Sequence, residues 1–232
     1  MRLIVNADDL GMCTEVNEAA ARCLDAGCVT SVSILANGPC FDEAVRLLRA
    51  WPEVSVGVHL NLTEFAPLTA ATHPPPTDTA AVREELVAQV LRVQEAGLRV
   101  THFDSHQHLH YRLALFGVLK SLQRRFDVHR IRGIALVRTD REVDPLRAAR
   151  QRLRAATFRL RLRAFPPEAR TTAAFGSVTV LRGLRRPLAS FEAMAHPGNP
   201  CHARYAEETA WLFAGGLRTL PFPVTPIGWH EL

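Results

Sequence analysis

The 232-residue chain holds a single lysine, Lys120, so its formal charge of +5 is carried by arginine. It has no apolar run of roughly 18 residues or more, so no membrane-spanning helix is expected. Met1-Arg-Leu-Ile-Val5 leads straight into an acidic pair and lacks the apolar segment of a signal peptide. The five cysteines (Cys13, Cys23, Cys28, Cys40, Cys201) are odd in number and have no C-x-x-C spacing. That predicts reduced thiols and a cytoplasmic location, and argues against a disulfide frame or a cysteine zinc knot. The first strand is not followed by G-x-G-x-x-G or a Walker A loop, so a nucleotide fold lacks its fingerprint. No G-x-S-x-G elbow or Cys–His signature supplies a covalent nucleophile. No zinc finger or RNP-type aromatic motif supports nucleic-acid binding.

What is present is globular: 47% hydrophobic and 22% charged residues, enough for one domain over residues 1–232. Leu3–Ala7, Val29–Leu35, Val54–Leu60, Arg99–Ser105, Ile131–Val137, Ser177–Leu181 and Phe191–Ala195 read as strands. Helical patterns stand between them, at Thr14–Ala26 (Thr14 as N-cap), Phe41–Trp51, 81–98, Leu113–Phe126 and Tyr205–Ala214. This alternation predicts a parallel sheet with crossover helices, as an open doubly wound sheet or a closed barrel. The loop from about Ala66 to Thr79, with Pro74-Pro-Pro76, has the length of a lid or binding loop and equally fits a plain surface loop. Many of the arginines fall between Arg141 and Arg186. There Leu146, Ala149, Leu153, Ala156 and Leu160 trace a helical apolar stripe, which predicts that the arginines coat a solvated face.

The unusual polar residues collect at strand ends. Thr101-His-Phe-Asp-Ser-His-Gln-His-Leu-His110 puts His102, Asp104, His106, His108 and His110 on one side of an extended backbone. Ten extended residues span about 33 Å, so only part of that run can meet one ion, and Asp104–His108 is the expected part. Asp8 and Asp9 end the first strand, His59 and Asn61 the third, and His196 the last. In barrels and parallel sheets, active sites form at the C-terminal strand edge. Adjacent carboxylates on a regular strand face opposite ways, so Asp8 and Asp9 share a site only if the chain bends there. One Asp with two His is the donor set of a catalytic metal, which lowers the pKa of water from 15.7 toward about 7. A free carboxylate can then take the proton, and a histidine can protonate the leaving group.

Asn6-Ala-Asp-Asp-Leu-Gly11, Gly57-Val-His-Leu60, Asp104-Ser-His-Gln-His108 and His196-Pro-Gly198 occur in an order that resembles the YdjC-like carbohydrate deacetylases. That family includes chitooligosaccharide deacetylases and a branch associated with hopanoid biosynthesis. The resemblance implies a deformed (β/α) barrel of about seven mostly parallel strands, related to polysaccharide deacetylases. It also implies a divalent metal, Mg or Zn, and removal of acetyl from an N-acetylated sugar, oligosaccharide or glycolipid. On the same resemblance Asp8 looks like the general base, His196 like the general acid, and Asp9, His59 and His106 like the metal ligands. His108 is the alternative to His106, and Asp104 would orient a ligand imidazole. The competing readings are a metal-dependent barrel hydrolase or isomerase with another substrate, and a non-catalytic carbohydrate binder. The candidate proton-transfer pair Asp8 and His196 argues against the second. A homodimer is the base-rate expectation.

Overall fold

The structure is a computed structural model that describes residues 1–134 and 145–232. Among these residues the chain forms a seven-stranded, all-parallel sheet with helices on its outside. The strands are β1 (Arg2–Leu10), β2 (Ser31–Ile34), β3 (Ser55–Leu60), β4 (Val100–Ser105), β5 (Ala174–Ser177), β6 (Ser190–Ala195) and β7 (Thr225–Pro226). Their order is β4-β3-β2-β1-β6-β5, with β7 paired to the start of β1. Beyond β4, isolated parallel bridges join Phe103 to Ile131 and Arg130 to Arg170, and the sheet is curled into a deformed half-barrel.

The helices are α1 (Thr14–Asp25), α2 (Phe41–Leu48), α3 (Thr79–Glu95), α4 (Phe116–Phe126), α5 (Pro145–Ala164), α6 (Val178–Arg182) and α7 (Ala203–Phe213). After Arg2 every residue of β1 is buried, and so is all of β2 and β3. Strands covered on both faces are expected to lack polar alternation. The core is built from their Val, Ile and Leu side chains, with Phe103, Phe175 and Phe191 fully enclosed.

Several expectations need correction. Ser177–Leu181 is not a strand: β5 ends at Ser177, whose hydroxyl accepts the Val180 amide and starts α6. The strand expected at Ile131–Val137 is reduced to the bridge at Ile131, and its residues 135–137 lie outside the described residues. Thr14 is the first helical residue of α1, not its cap, because its hydroxyl donates to Glu43 at 2.8 Å instead. The helix expected from Leu113 begins with a 3-10 turn at Leu113–Leu115 and becomes α-helical at Phe116. The apolar stripe of α5 points outward: Leu153 and Leu160 are 68% and 67% exposed, while Phe158 and Leu162 face the core. Residues 141–144 of the arginine-rich stretch lie outside the described residues. All five cysteines are free thiols. No helix among the described residues is long and apolar enough to cross a membrane.

Candidate metal and catalytic site

The C-terminal ends of β1, β3, β4 and β6 open onto one cavity of about 210 Å³, lined by Asp8, Asp9, His59, Glu64, His106, His108, His196, Asn199 and Tyr205 among others. At the end of β1 the pairing with β2 shifts register between Ala7 and Leu10, and Asp9 adopts a left-handed φ of 69°. A non-glycine residue rarely takes that conformation. The break in pleating turns the Asp9 side chain to the same cavity as Asp8, which a regular strand would forbid.

The histidine run is not one extended face. β4 ends at Ser105, and His106–Tyr111 forms a 3-10 turn kinked at Gln107 and His108, with φ of 51° and 56°. Its residues are thereby dispersed. His102 is fully buried, stacked on Trp229 at 4.8 Å, and His110 bonds Ser105 Oγ at 2.6 Å. Burial lowers the pKa of His102 to about 3 and that of His108 to about 4. His106 alone of the run meets Asp9 and His59.

Asp9, His59 and His106 each offer a ligand atom within 4.8 Å of the others, all three residues buried. His59 Nε2 lies 3.3 Å and His106 Nδ1 3.0 Å from the same oxygen, Asp9 Oδ1. Asn199 Nδ2 donates to Asp9 Oδ2 at 2.8 Å, which fixes the carboxylate's rotation. His59 Nδ1 is bonded to Asp104 Oδ1 at 2.9 Å, so a carboxylate sets the ring so that Nε2 faces the cluster. Such a partner orients a ligand imidazole and raises its basicity. The donor set therefore fits a divalent cation: two imidazole nitrogens and a carboxylate oxygen converge, and the free side of the cavity remains for substrate. A second grouping, Asp8, His59 and Asp104, also satisfies the distance criterion. Both of its carboxylates are already engaged by Arg132, which makes it the poorer cradle.

Arg132 is fully buried and forms the electrostatic centre behind the cavity. It donates from two nitrogens to the two oxygens of Asp8 at 2.7 Å each, lies 2.7 Å from Asp104 Oδ2, and donates from Nε to Glu192 at 2.7 Å. Burial alone would raise the Asp8 and Asp104 carboxyl pKa values; the guanidinium more than offsets it and both lie below the ordinary range. Burial does win at Glu192, pushing it up to about 8 against the pull of Arg132. Burial likewise opposes ionisation of Asp9, but its bonds to His106 and His59 hold it well below the usual value. Burial would lower His59; Asp104 and Asp9 overcome it and lift the imidazole to about 10. The cluster's carboxylates thus create a strongly cation-favouring field, whether the cation is a proton on His59 or a metal ion.

His196 follows β6 in the turn His196-Pro-Gly-Asn199. Its ring stacks on Tyr205 at 4.1 Å, and its Nε2 stands 3.9 Å from Asp8 Oδ2. Burial lowers its pKa despite the nearby Asp8 and Asp9 carboxylates. The chain after β3 is tied to α3 as far as Thr69. Asn61 accepts and donates through its backbone with the Gln89 side chain, and Glu85 accepts the Leu68 and Thr69 amides. That anchoring holds Glu64 over the site, its Oε1 3.2 Å from His106 Nε2.

Sequence reasoning did not single out Arg132, Glu192, Glu64 or Tyr205. For two of them a signal exists: a charge inside an apolar strand run, Ile131-Arg-Gly-Ile134 and Phe191-Glu-Ala-Met-Ala195, predicts a buried ion pair. Nothing in the loop sequence marks Glu64.

A family model described as "YdjC-like protein" matches residues 2–214. A carbohydrate deacetylase of Halalkalibacterium halodurans is 31% identical over 150 residues, covering 55% of this chain and 62% of that protein. One of Brevibacillus brevis is 36% identical over 144 residues, covering 55% of this chain and 58% of that protein. The chain thus spans about six tenths of the length of these relatives. A solved protein of Enterococcus faecalis, described in terms of cellobiose-phosphate cleavage, superposes with a TM-score of 0.75 at 19% identity, over 99% of this chain and 98% of its own; that likeness speaks to the fold alone.

Proposed function

The chain belongs to the YdjC-like protein family, and on that premise we propose that it is a metal-dependent hydrolase removing acetyl from an N-acetylated amino sugar, oligosaccharide or glycolipid. The reading takes the substrate class from the relatives' description as carbohydrate deacetylases. The observation that carries the chemistry is the convergence of Asp9, His59 and His106 beside Asp8 and His196 in one cavity.

Asp9, His59 and His106 would hold the divalent cation, with Mg or Zn the expected ions. When bound, such an ion supplies a Lewis acid that makes water more acidic and polarises a carbonyl oxygen. Asp8 acts as the general base. Arg132 keeps it ionised across the neutral range and fixes its plane, and a carboxylate oxygen retains a second lone pair after one hydrogen bond. His196 acts as the general acid toward the departing amine nitrogen. Burial lowers its pKa, so the protonated ring is a stronger acid, and Asp8 Oδ2 at 3.9 Å stabilises the imidazolium while it exists. Tyr205 holds the ring's orientation by stacking. Asp104 positions His59.

The deciding experiment pairs bound-metal analysis with an acetate-release screen over N-acetylated amino sugars of increasing length. Acetate release that disappears on chelation and returns with added metal supports the reading. Activity on other amides or esters with no acetate from any N-acetyl sugar would transfer the site to another substrate. Full activity after exhaustive chelation would remove the metal from the mechanism.

A further inference from the structure

We propose that the outer face of α5 docks the protein on an anionic lipid surface. The helix carries two apolar stripes, and among the described residues one is buried against the fold while Leu153 and Leu160 of the other are exposed. Phe158 and Leu162 are buried, with the Phe158 ring 5.8 Å from Tyr111 and 6.0 Å from His110. The helix is thereby seated on the turn that carries His106 and His108. The opposite line, Ala149, Leu153, Ala156 and Leu160, is exposed to solvent.

At 3.6 residues per turn, Leu153 and Leu160 fall within about 20° of each other on the helix surface. Exposed arginines stand on both shoulders of that line: Arg150 on one side, Arg152 and Arg163 on the other. No acidic residue occurs anywhere from Pro145 to Ala164.

Charge complementarity selects the occupant. Two copies laid stripe to stripe would bring four arginine shoulders together with no acid to answer them. A nucleic acid would use the arginines and leave the leucine line facing a polar phosphate backbone. A bilayer of anionic lipid satisfies both parts at once: leucines enter the acyl boundary, and long arginine side chains reach up from the shoulders to the phosphates. The helix runs about 30 Å and is convex, the shape suited to a plane and not to a groove. This inference stands apart from the chemistry of the cavity, since it uses none of its residues.

The test is flotation of the full chain with vesicles of equimolar phosphatidylglycerol and phosphatidylcholine, against vesicles of phosphatidylcholine alone. The wild type is expected to partition onto the anionic vesicles more than about tenfold better, and to release as salt is raised. Leu153→Asp combined with Leu160→Asp is expected to cut binding by about tenfold or more, with the far-ultraviolet circular dichroism unchanged. Arg150→Ser with Arg152→Ser should erase the preference for anionic lipid, and a preference that survives both changes overturns the assignment of the arginines. Failure of the wild type to bind anionic vesicles overturns the proposal whatever the variants do. So does vesicle binding that survives the leucine changes in a folded variant. A wild-type dimer that those changes convert to a monomer, without vesicle binding, assigns the stripe to self-association instead. None of these outcomes depends on turnover, so they leave the deacetylase reading to its own test.

Discussion

Arg132 meets Asp8, 124 positions earlier in the chain, through a two-pronged contact with both bonds at 2.7 Å and both side chains buried. The planar fork of a guanidinium fixes a carboxylate's rotation as well as its charge, which a lysine ammonium cannot do. The same guanidinium reaches Asp104, which in turn orients His59. One cation therefore couples the candidate base to the candidate metal cradle.

Replacing Arg132 by Met should destabilise the fold by about 3–5 kcal/mol, the usual cost of stranding buried carboxylates without their partner. Arg132→Lys should fall between that variant and the wild type, because charge is kept and the fork is lost. The sign with pH follows from Asp8 and Asp104, whose carboxyls lie below their unfolded value of 3.8. Between the folded and unfolded pKa values the unfolded chain binds more protons. The contribution is therefore fully present above about pH 4 and lost as pH falls through the folded values. Urea titrations at neutral and acid pH read both effects. An unchanged midpoint in Arg132→Met would show that the network contributes nothing net.

Asp8→Asn should retain the metal while turnover drops by about 10²- to 10⁴-fold, the ordinary worth of general acid–base catalysis. Metal content by mass spectrometry and single-substrate kinetics separate the two quantities. Loss of the metal itself, instead of slowed turnover in a metal-loaded enzyme, would mean that Asp8 and Asp9 have exchanged roles.

His59→Ala should empty the cradle in part, seen as lowered metal occupancy after dialysis. Asp104→Asn is the finer probe. It keeps the size of the side chain and removes the charged acceptor at 2.9 Å from His59 Nδ1, so metal affinity should fall by about 10- to 100-fold. Equal affinity in Asp104→Asn and wild type would reduce that contact to a structural hydrogen bond.

Much of the barrel can be read directly from the chain, because parallel strands covered on both sides appear as short apolar runs with polar residues at their ends. Asp8, His59, Asp104 and His196 announce themselves that way. Three things do not. The bend that brings Asp9 round lies in a left-handed backbone conformation that Asp residues adopt only occasionally, and no glycine marks the position itself. The period-two spacing from His102 to His110 stops carrying information once the strand gives way to a kinked 3-10 turn after Ser105. In α5, inner and outer faces are both apolar, so periodicity predicts a helix without saying which side is buried.

Gly57 occupies the motif that also carries His59, and its place in β3 explains why no side chain stands there. It pairs with His102 across the β3–β4 ladder, and a Cβ added at Gly57 would overlap the His102 imidazole. That ring has nowhere to go. It is fully buried, stacked on Trp229, and bonded at one nitrogen to Ser33 Oγ at 3.2 Å and at the other to Thr101 Oγ1 at 2.9 Å. Gly57→Ala should therefore destabilise by about 1–3 kcal/mol through overpacking, against the gain of about 0.5–1 kcal/mol that replacing a strand glycine would otherwise bring. Ser33 also bonds Asp104 at 2.8 Å, so a displaced His102 should loosen the hold on His59 and weaken metal binding as well. In a cycle with His102→Ala, the double variant should be less destabilised than the sum of the two single changes, since truncating the ring makes room for the new methyl. Strict additivity in that cycle, read by urea denaturation, would refute the steric account of Gly57.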